Sequence, residues 1–197
     1  MALASVNSSY SGARWQQAPT QLSDAETARM AALFEERLNL PYSLCWHLAS
    51  LGLNDETIAD FLDPKLRTSL PDPYVMKDAE HAVSLITDII KKKQPIGLFG
   101  DYDVDGITSV AMMYMFLNKF TDNIEFYIPD RNNEGYGISI ESINYAKSNN
   151  VNLIVALDCG IKSCDEVRYA KSKKIDYIIC DHHEQGEEIP DAVAVLD

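Results

Sequence analysis

Positive charge is scarce in this 197-residue chain: 17 Lys and Arg stand against 30 Asp and Glu, a formal charge of −13. A broad basic nucleic-acid surface, which draws on clustered Lys and Arg, is therefore excluded. A phosphodiester ligand stays compatible with such a chain only where bound cations reverse the field locally. Cysteine is also sparse. The four residues Cys45, Cys159, Cys164 and Cys180 lie in or beside apolar segments and make no dense secreted pattern, so a reduced, cytoplasmic setting is expected. No apolar run approaches the ~20 residues of a bilayer span, and Met1 to Gln21 is polar, without the apolar middle of a signal peptide. The expectation is a soluble protein that is neither exported nor a membrane partner. There is no internal repeat.

What is present is regular. Residues 1–22, rich in Ser, Ala and Gln without period, are expected to be mobile. Ser23 with Glu26 forms a capping box, and Met30, Phe34 and Leu38, widened by Leu33, make one apolar face of a helix ending near Leu38. Pro41 opens a second helical stretch that Gly52 stops, and Asp55 is expected to cap a third before Pro64. A helix-turn-helix reading fails because its second helix would carry Asn, Asp and Glu where base and phosphate contacts need Arg or amides. Pro64, Pro71 and Pro73 mark a linker, so 23–75 reads as a helical lead-in with its linker and 76–197 as the main domain.

Beyond the linker, helices expected at 77–93, 106–120, 139–149 and 163–173 alternate with strands at 96–100, 124–128, 152–157, 176–180 and 192–196. Such alternation predicts an α/β fold, a parallel sheet with helices on both faces. The strands are continuous Ile, Val and Leu runs, as covered faces require. Ligands in these sheets bind beyond the carboxyl ends of the strands.

Three of those ends are chemically unusual. Asp101-Tyr102-Asp103-Val104-Asp105-Gly106 follows the first strand, Asp158-Cys159-Gly160 the third and Asp181-His182-His183 the fourth. So much negative charge on one edge calls for cations; oxygen ligands suit Mn2+ and Mg2+, and imidazole tilts the choice toward Mn2+, Fe2+ or Zn2+. An EF-hand loop is ruled against by Met112 at the position that needs a bidentate Glu. A haloacid-dehalogenase reading of Asp103 and Asp105 leaves the His pair without a role. A cysteine zinc site drawn from Cys159, Cys164, Cys180 and His182 lacks the tight spacing of zinc ribbons. Asp158 and Asp181 taken singly fit helix or loop caps equally well. Because neighbouring side chains of an extended segment point oppositely, His182 and His183 are expected to play different roles. Arg131 and Gly135-Tyr136-Gly137 follow the second strand and would set donors for substrate phosphate at the same edge, or form an ordinary solvated loop.

In combination these residues closely resemble the DHH phosphoesterase superfamily, and within it the RecJ-type single-strand-specific exonucleases, from about Ser23 to the end of the chain. The resemblance implies a two-Mn2+ site, with Mg2+ as an alternative, in which Asp158 bridges both ions, Asp103 holds one, and Asp105 with His182 holds the other. It further implies that His183 contacts substrate phosphate or assists its chemistry and that Asp101 and Asp181 support the ligands. Arg131, Gly135, Tyr136 and Gly137 become substrate contacts. The implied activity is metal-dependent phosphodiester hydrolysis, degrading single-stranded DNA from its 5′ end in DNA repair and recombination. Two departures qualify it. A fourth-motif metal Asp and the C-terminal domains that grip substrate, including an oligonucleotide-binding barrel, are not found before Asp197. The chain thus resembles an N-terminal catalytic portion, with weak or absent nuclease activity expected of it alone. A phosphoesterase acting on small nucleotides or oligonucleotides, and a non-catalytic binding module, are the alternatives.

Overall fold

The computed structural model describes residues 10–13 and 22–197; the expectation of a mobile 1–22 falls for the most part outside them. The chain divides into two compact units, one up to Pro71 and one from Asp72 onward. No helix among the described residues is long and apolar enough to cross a membrane.

The first unit contains α1 (Asp24–Leu38), α2 (Tyr42–Ser50), α3 (Ile58–Leu62) and α4 (Leu66–Ser69). Ser23 and Glu26 form the reciprocal capping box at the start of α1, and Ala31, Phe34, Cys45, Trp46, Leu48 and Ile58 make the unit's core. Asp55 does not cap α3. The Asn54 side chain accepts from the Glu56 and Thr57 amides at 2.9 and 3.1 Å, which leaves Asp55 to pair with Arg37 on the surface. The proline-rich segment is also less irregular than expected, since α4 fits between Pro64 and Pro71.

The second unit opens with a 3-10 turn (Pro73–Val75) and continues as α5 (Ala79–Lys91), β1 (Ile96–Gly100), α6 (Val104–Leu117), β2 (Ile124–Tyr127), α7 (Ile140–Ser148), β3 (Leu153–Leu157), α8 (Cys164–Ser172), β4 (Asp176–Cys180) and β5 (Ala194–Leu196). All five strands are parallel, in the order β2-β1-β3-β4-β5. The helical lead-in and the parallel α/β sheet are those expected from the pattern of apolar runs. Alternate residues of the buried strands serve opposite faces. Phe99, Ile154, Ala156, Tyr177 and Ile179 meet Ile143 and Ala146 of α7 and Val167 and Ala170 of α8, whereas Leu98, Val155 and Ile178 meet Ala82 of α5 and Val110 and Leu117 of α6. Two fully covered faces explain why the sequence shows apolar runs in place of alternation.

One boundary differs in a way that matters. The sequence pattern starts the second unit's second helix at Gly106, but α6 begins at Val104 with Asp103 as its N-cap. The acidic motif is therefore the first turn of a helix. The Asp103 carboxylate accepts from the Asp105 and Gly106 amides at 3.0 and 3.1 Å, and an N-cap side chain of this kind satisfies donors that the helix leaves free. Gly106 is required here: a Cβ on it would lie 2.4 Å from the Asp101 carbonyl oxygen and 2.5 Å from the Asp101 nitrogen. The close approach seats the start of α6 on the end of β1.

Candidate metal centre

β1, β3 and β4 end side by side, so the residues that follow them share one edge. Asp101 leaves β1 fully buried. Its Oδ1 accepts from the Gly137 amide at 3.3 Å, while Oδ2 has no hydrogen-bond partner. Asp158 leaves β3 in the left-handed region at φ 60°, uncommon for a non-glycine residue, with its amide donating to the Cys180 carbonyl at 2.8 Å. This bond ties the end of β3 to that of β4 and turns the Asp158 carboxylate toward His182, whose Nε2 lies 3.1 Å away.

Asp181 follows β4. Its Oδ2 accepts from the Ile161 amide at 2.9 Å, and its Oδ1 from the His182 and His183 amides at 2.8 and 3.3 Å and from the His183 ring Nδ1 at 2.7 Å. The backbone wraps around this carboxylate. For that reason His182 and His183 do not project to opposite sides as an extended strand would place them: β4 has ended, and the ring centroids stand 4.8 Å apart. They still differ in partners, His182 meeting Asp158 and His183 meeting Asp181.

The electrostatics separate the two buried carboxylates. Burial raises the Asp158 pKa, and the nearby charge of Asp103 raises it further, outweighing the relief from the two histidines. Burial also opposes ionisation of Asp181, but there the His183 ring and the three backbone donors prevail and hold the pKa below the ordinary value. The same bond raises the pKa of His183.

Metal-ligating atoms of Asp158, His182 and His183 all lie within 4.8 Å of one another, the one such group among the described residues. Asp103 and Asp105 are outside it. Both are exposed, and Asp103 is engaged in capping α6, yet their charges are felt at Asp158. The donor set fits a divalent cation, with carboxylate oxygen and imidazole nitrogen converging where like charge is uncompensated and a buried Asp101 oxygen lacks a donor. The cysteines do not join it. Burial first, and then the charge of Asp181, raises the thiol pKa of Cys180 to about 11 and that of buried Cys159 higher still, so neither offers a ready thiolate.

The loop after β2 reaches this edge from the other side. Gly135 and Gly137 both have positive φ, 85° and 77°, and the turn brings the Tyr136 hydroxyl to 3.0 Å from His183 Nε2. Arg131 stays apart from the carboxylates, its guanidinium carbon 5.3 Å from the centroid of the Tyr102 ring. Two contributors escaped the sequence reading. Glu134 accepts from the Tyr127 hydroxyl at 2.6 Å, the Ser139 hydroxyl at 2.9 Å and the Asp130 amide at 3.0 Å, fixing the loop. Tyr102 packs edge-on against Tyr136, and its position inside the first acidic motif was the available signal.

A family model described as the DHH family, N-terminal domain, matches residues 95–197, just over half of the chain. The chain belongs to the DHH family. Among this DHH protein's curated relatives is the single-stranded-DNA-specific exonuclease RecJ of Bacillus subtilis, 40% identical over 125 residues, which are 64% of this chain and 16% of the relative. RecJ of Haemophilus influenzae is 34% identical over 137 residues, 68% of this chain and 24% of that one. A crystal structure of exonuclease RecJ bound to manganese aligns with a TM-score of 0.58 at 29% identity, covering 64% of this chain and 31% of the other. RecJ of Thermus thermophilus in complex with Mn2+ aligns with a TM-score of 0.58 at 22% identity over 84% of this chain and 23% of its own, a likeness of fold. The DHH protein thus spans about a quarter or less of these curated relatives' length.

Proposed function

We propose that this chain is the N-terminal catalytic portion of a RecJ-type nuclease, hydrolysing phosphodiester bonds of single-stranded DNA from the 5′ end with Mn2+ bound, in DNA repair and recombination in the cytoplasm. The observation that carries the reading is the convergence of Asp158, His182 and His183 at one sheet edge, with Asp101, Asp103 and Asp105 around them. The similarity to proteins named as RecJ supports the substrate class. Asp158 and His182 are the central metal ligands in this reading, with Asp103 and Asp105 completing two sites, and Mg2+ is the alternative ion. Bound cations would supply a Lewis acid for the attacked phosphoryl group and lower the pKa of a water nucleophile, so no protein nucleophile is needed.

The protein's own residues do the positioning. Asp181 fixes the orientation of His183 and keeps a proton on Nδ1, so that Nε2, shared with the Tyr136 hydroxyl, faces the substrate side. Asp101 holds the Gly137 amide and with it the Gly-Tyr-Gly turn. Arg131, steadied on Tyr102, offers its guanidinium to phosphate. The domains by which a longer protein grips its strand are the expected partners of this portion.

The test is hydrolysis of 5′-phosphorylated single-stranded DNA in Mn2+, against duplex DNA and dinucleotides, with Asp158→Ala as control. Slow release of 5′ mononucleotides from the single strand, lost in the variant, is expected of a portion without the strand-gripping domains. Faster hydrolysis of dinucleotides would favour a small-substrate phosphoesterase, and Mn2+ binding without hydrolysis of either would favour a binding module.

A further inference from the structure

α6 is apolar on every side. Gly106, Val110 and Leu117 are buried against the sheet, yet the opposite side carries Val104, Met112 and Met115, which are 75%, 73% and 70% exposed, with Ile107 and Phe116 exposed beside them. A helix apolar all round belongs in an interior. The exposed side is a ridge between two apolar grooves. One, of about 440 Å3, lies against α5 and is lined by Val83, Ile86, Ile90, Met113, Phe116 and Phe120; the other, of about 280 Å3, lies against β2 and is lined by Ile107, Ala111, Tyr114, Met115 and Phe126 among others.

The two ends of the ridge carry opposite charge. Asp103 and Asp105 are exposed where α6 begins, and Lys119 is exposed just past its end. α5 runs alongside in the same direction, since both helices cover one face of the sheet, α5 leading into β1 and α6 leaving it. Its end adds exposed Lys91, Lys92 and Lys93, and the Asn123 side chain donates to the Lys93 carbonyl at 2.9 Å, which joins the two basic ends. None of these four lysines is in an ion pair among the described residues.

We propose that this face binds a second copy of the chain, with two α6 ridges crossing antiparallel about a two-fold axis near Ala111, each seated in the groove between α6 and α5 of the other. Three features select a copy of this chain as the occupant. The surface holds both a ridge and a groove that receives one, as a self-complementary two-fold interface requires, and Ala111 is small enough for close approach at the crossing. An antiparallel crossing centred between positions 111 and 112 sets Lys119 of one copy opposite Val104 and Asp105 of the other, so each basic end meets an acidic one, twice by symmetry. The exposed apolar side chains of ridge and groove offer on the order of 900 Å2 per chain, against about 800 Å2 per partner in a standard interface. The formal charge of −13 opposes association at long range, but at physiological salt such fields fade beyond about 8 Å, and the facing ends decide.

Sedimentation equilibrium of the metal-free chain over about a hundredfold range of concentration tests the proposal apart from the metal centre. Wild type is expected to pass from monomer to dimer without larger species, because a two-fold contact closes on itself. Met115→Glu, at an exposed position, should weaken the dimer about a hundredfold or more while the helical circular dichroism stays that of wild type. Lys119→Glu and Asp105→Lys should each dimerise about tenfold more weakly alone, and an equal mixture of the two should recover wild-type affinity, since only the mixed pair restores opposite charges at both ends. A monomer at every concentration, open-ended growth, a dimer indifferent to Met115→Glu, or a mixture no tighter than its parts would overturn the proposal.

Discussion

The ends of β3 and β4 each present a buried aspartate, one residue beyond the paired Leu157 and Cys180, and the two carboxylates live under opposite conditions. Asp181 receives four hydrogen bonds and is held ionised by them, whereas Asp158 faces the charges of Asp103 and Asp105 and is pushed toward protonation. Burial is not what separates them, since it opposes ionisation of both. Donors decide: a carboxylate with its donors supplied by the protein is a structural support, and one short of them is a place for a cation. Asp101 lies between the two, with one oxygen satisfied and one not.

The contrast is sharpest in the metal-free protein. Asp181→Ala removes the acceptor of the Ile161, His182 and His183 amides and releases the His183 ring, and should cost about 3 kcal/mol in urea unfolding. Next in size, Mn2+ at a hundred times its dissociation constant should stabilise the wild-type chain by about 2.7 kcal/mol, and Asp158→Ala by none. Asp158→Asn carries the opposite sign to Asp181→Ala: with like charge removed, the metal-free chain should hold its stability or gain about 1 kcal/mol. The two asparagine variants should also diverge with pH. The raised pKa of Asp158 means its ionisation works against the fold, so wild type loses ground to Asp158→Asn as pH rises through the carboxylate range. The lowered pKa of Asp181 stabilises the fold above its ordinary value, so the Asp181→Asn deficit grows over the same range and fades as pH falls. The smallest effect belongs to Tyr136→Phe, about 0.5 kcal/mol, because Tyr136 is more than half exposed and Asp181 still holds His183.

Much of this was legible in the sequence because it depends on short-range pattern. Continuous apolar runs such as Leu153 to Leu157 announce strands buried on both faces, and strands alternating with helices leave little choice but a parallel sheet with its ligands at one edge. What escaped depends on where side-chain oxygens land. Asp103 looked like part of a loop because an acidic run says nothing of which carboxylate turns back to cap the helix, and for the same reason the sequence did not show that the turn before α3 is held by Asn54 and not by Asp55. Alternation misplaced His182 and His183 because it assumes an extended backbone, and the Asp181 carboxylate bends this one. The bonds from Gly137 to Asp101 and from Tyr136 to His183 join residues 36 and 47 positions apart, a distance that no local period reports.

The most direct test of the difference between the two aspartates is Mn2+ titration of the purified chain, following free ion by electron paramagnetic resonance, in wild type and Asp158→Ala. Specific uptake by wild type that Asp158→Ala abolishes is the predicted result. No uptake by wild type, or the same uptake in both, would contradict the assignment of the β3 end as the place where the cation binds.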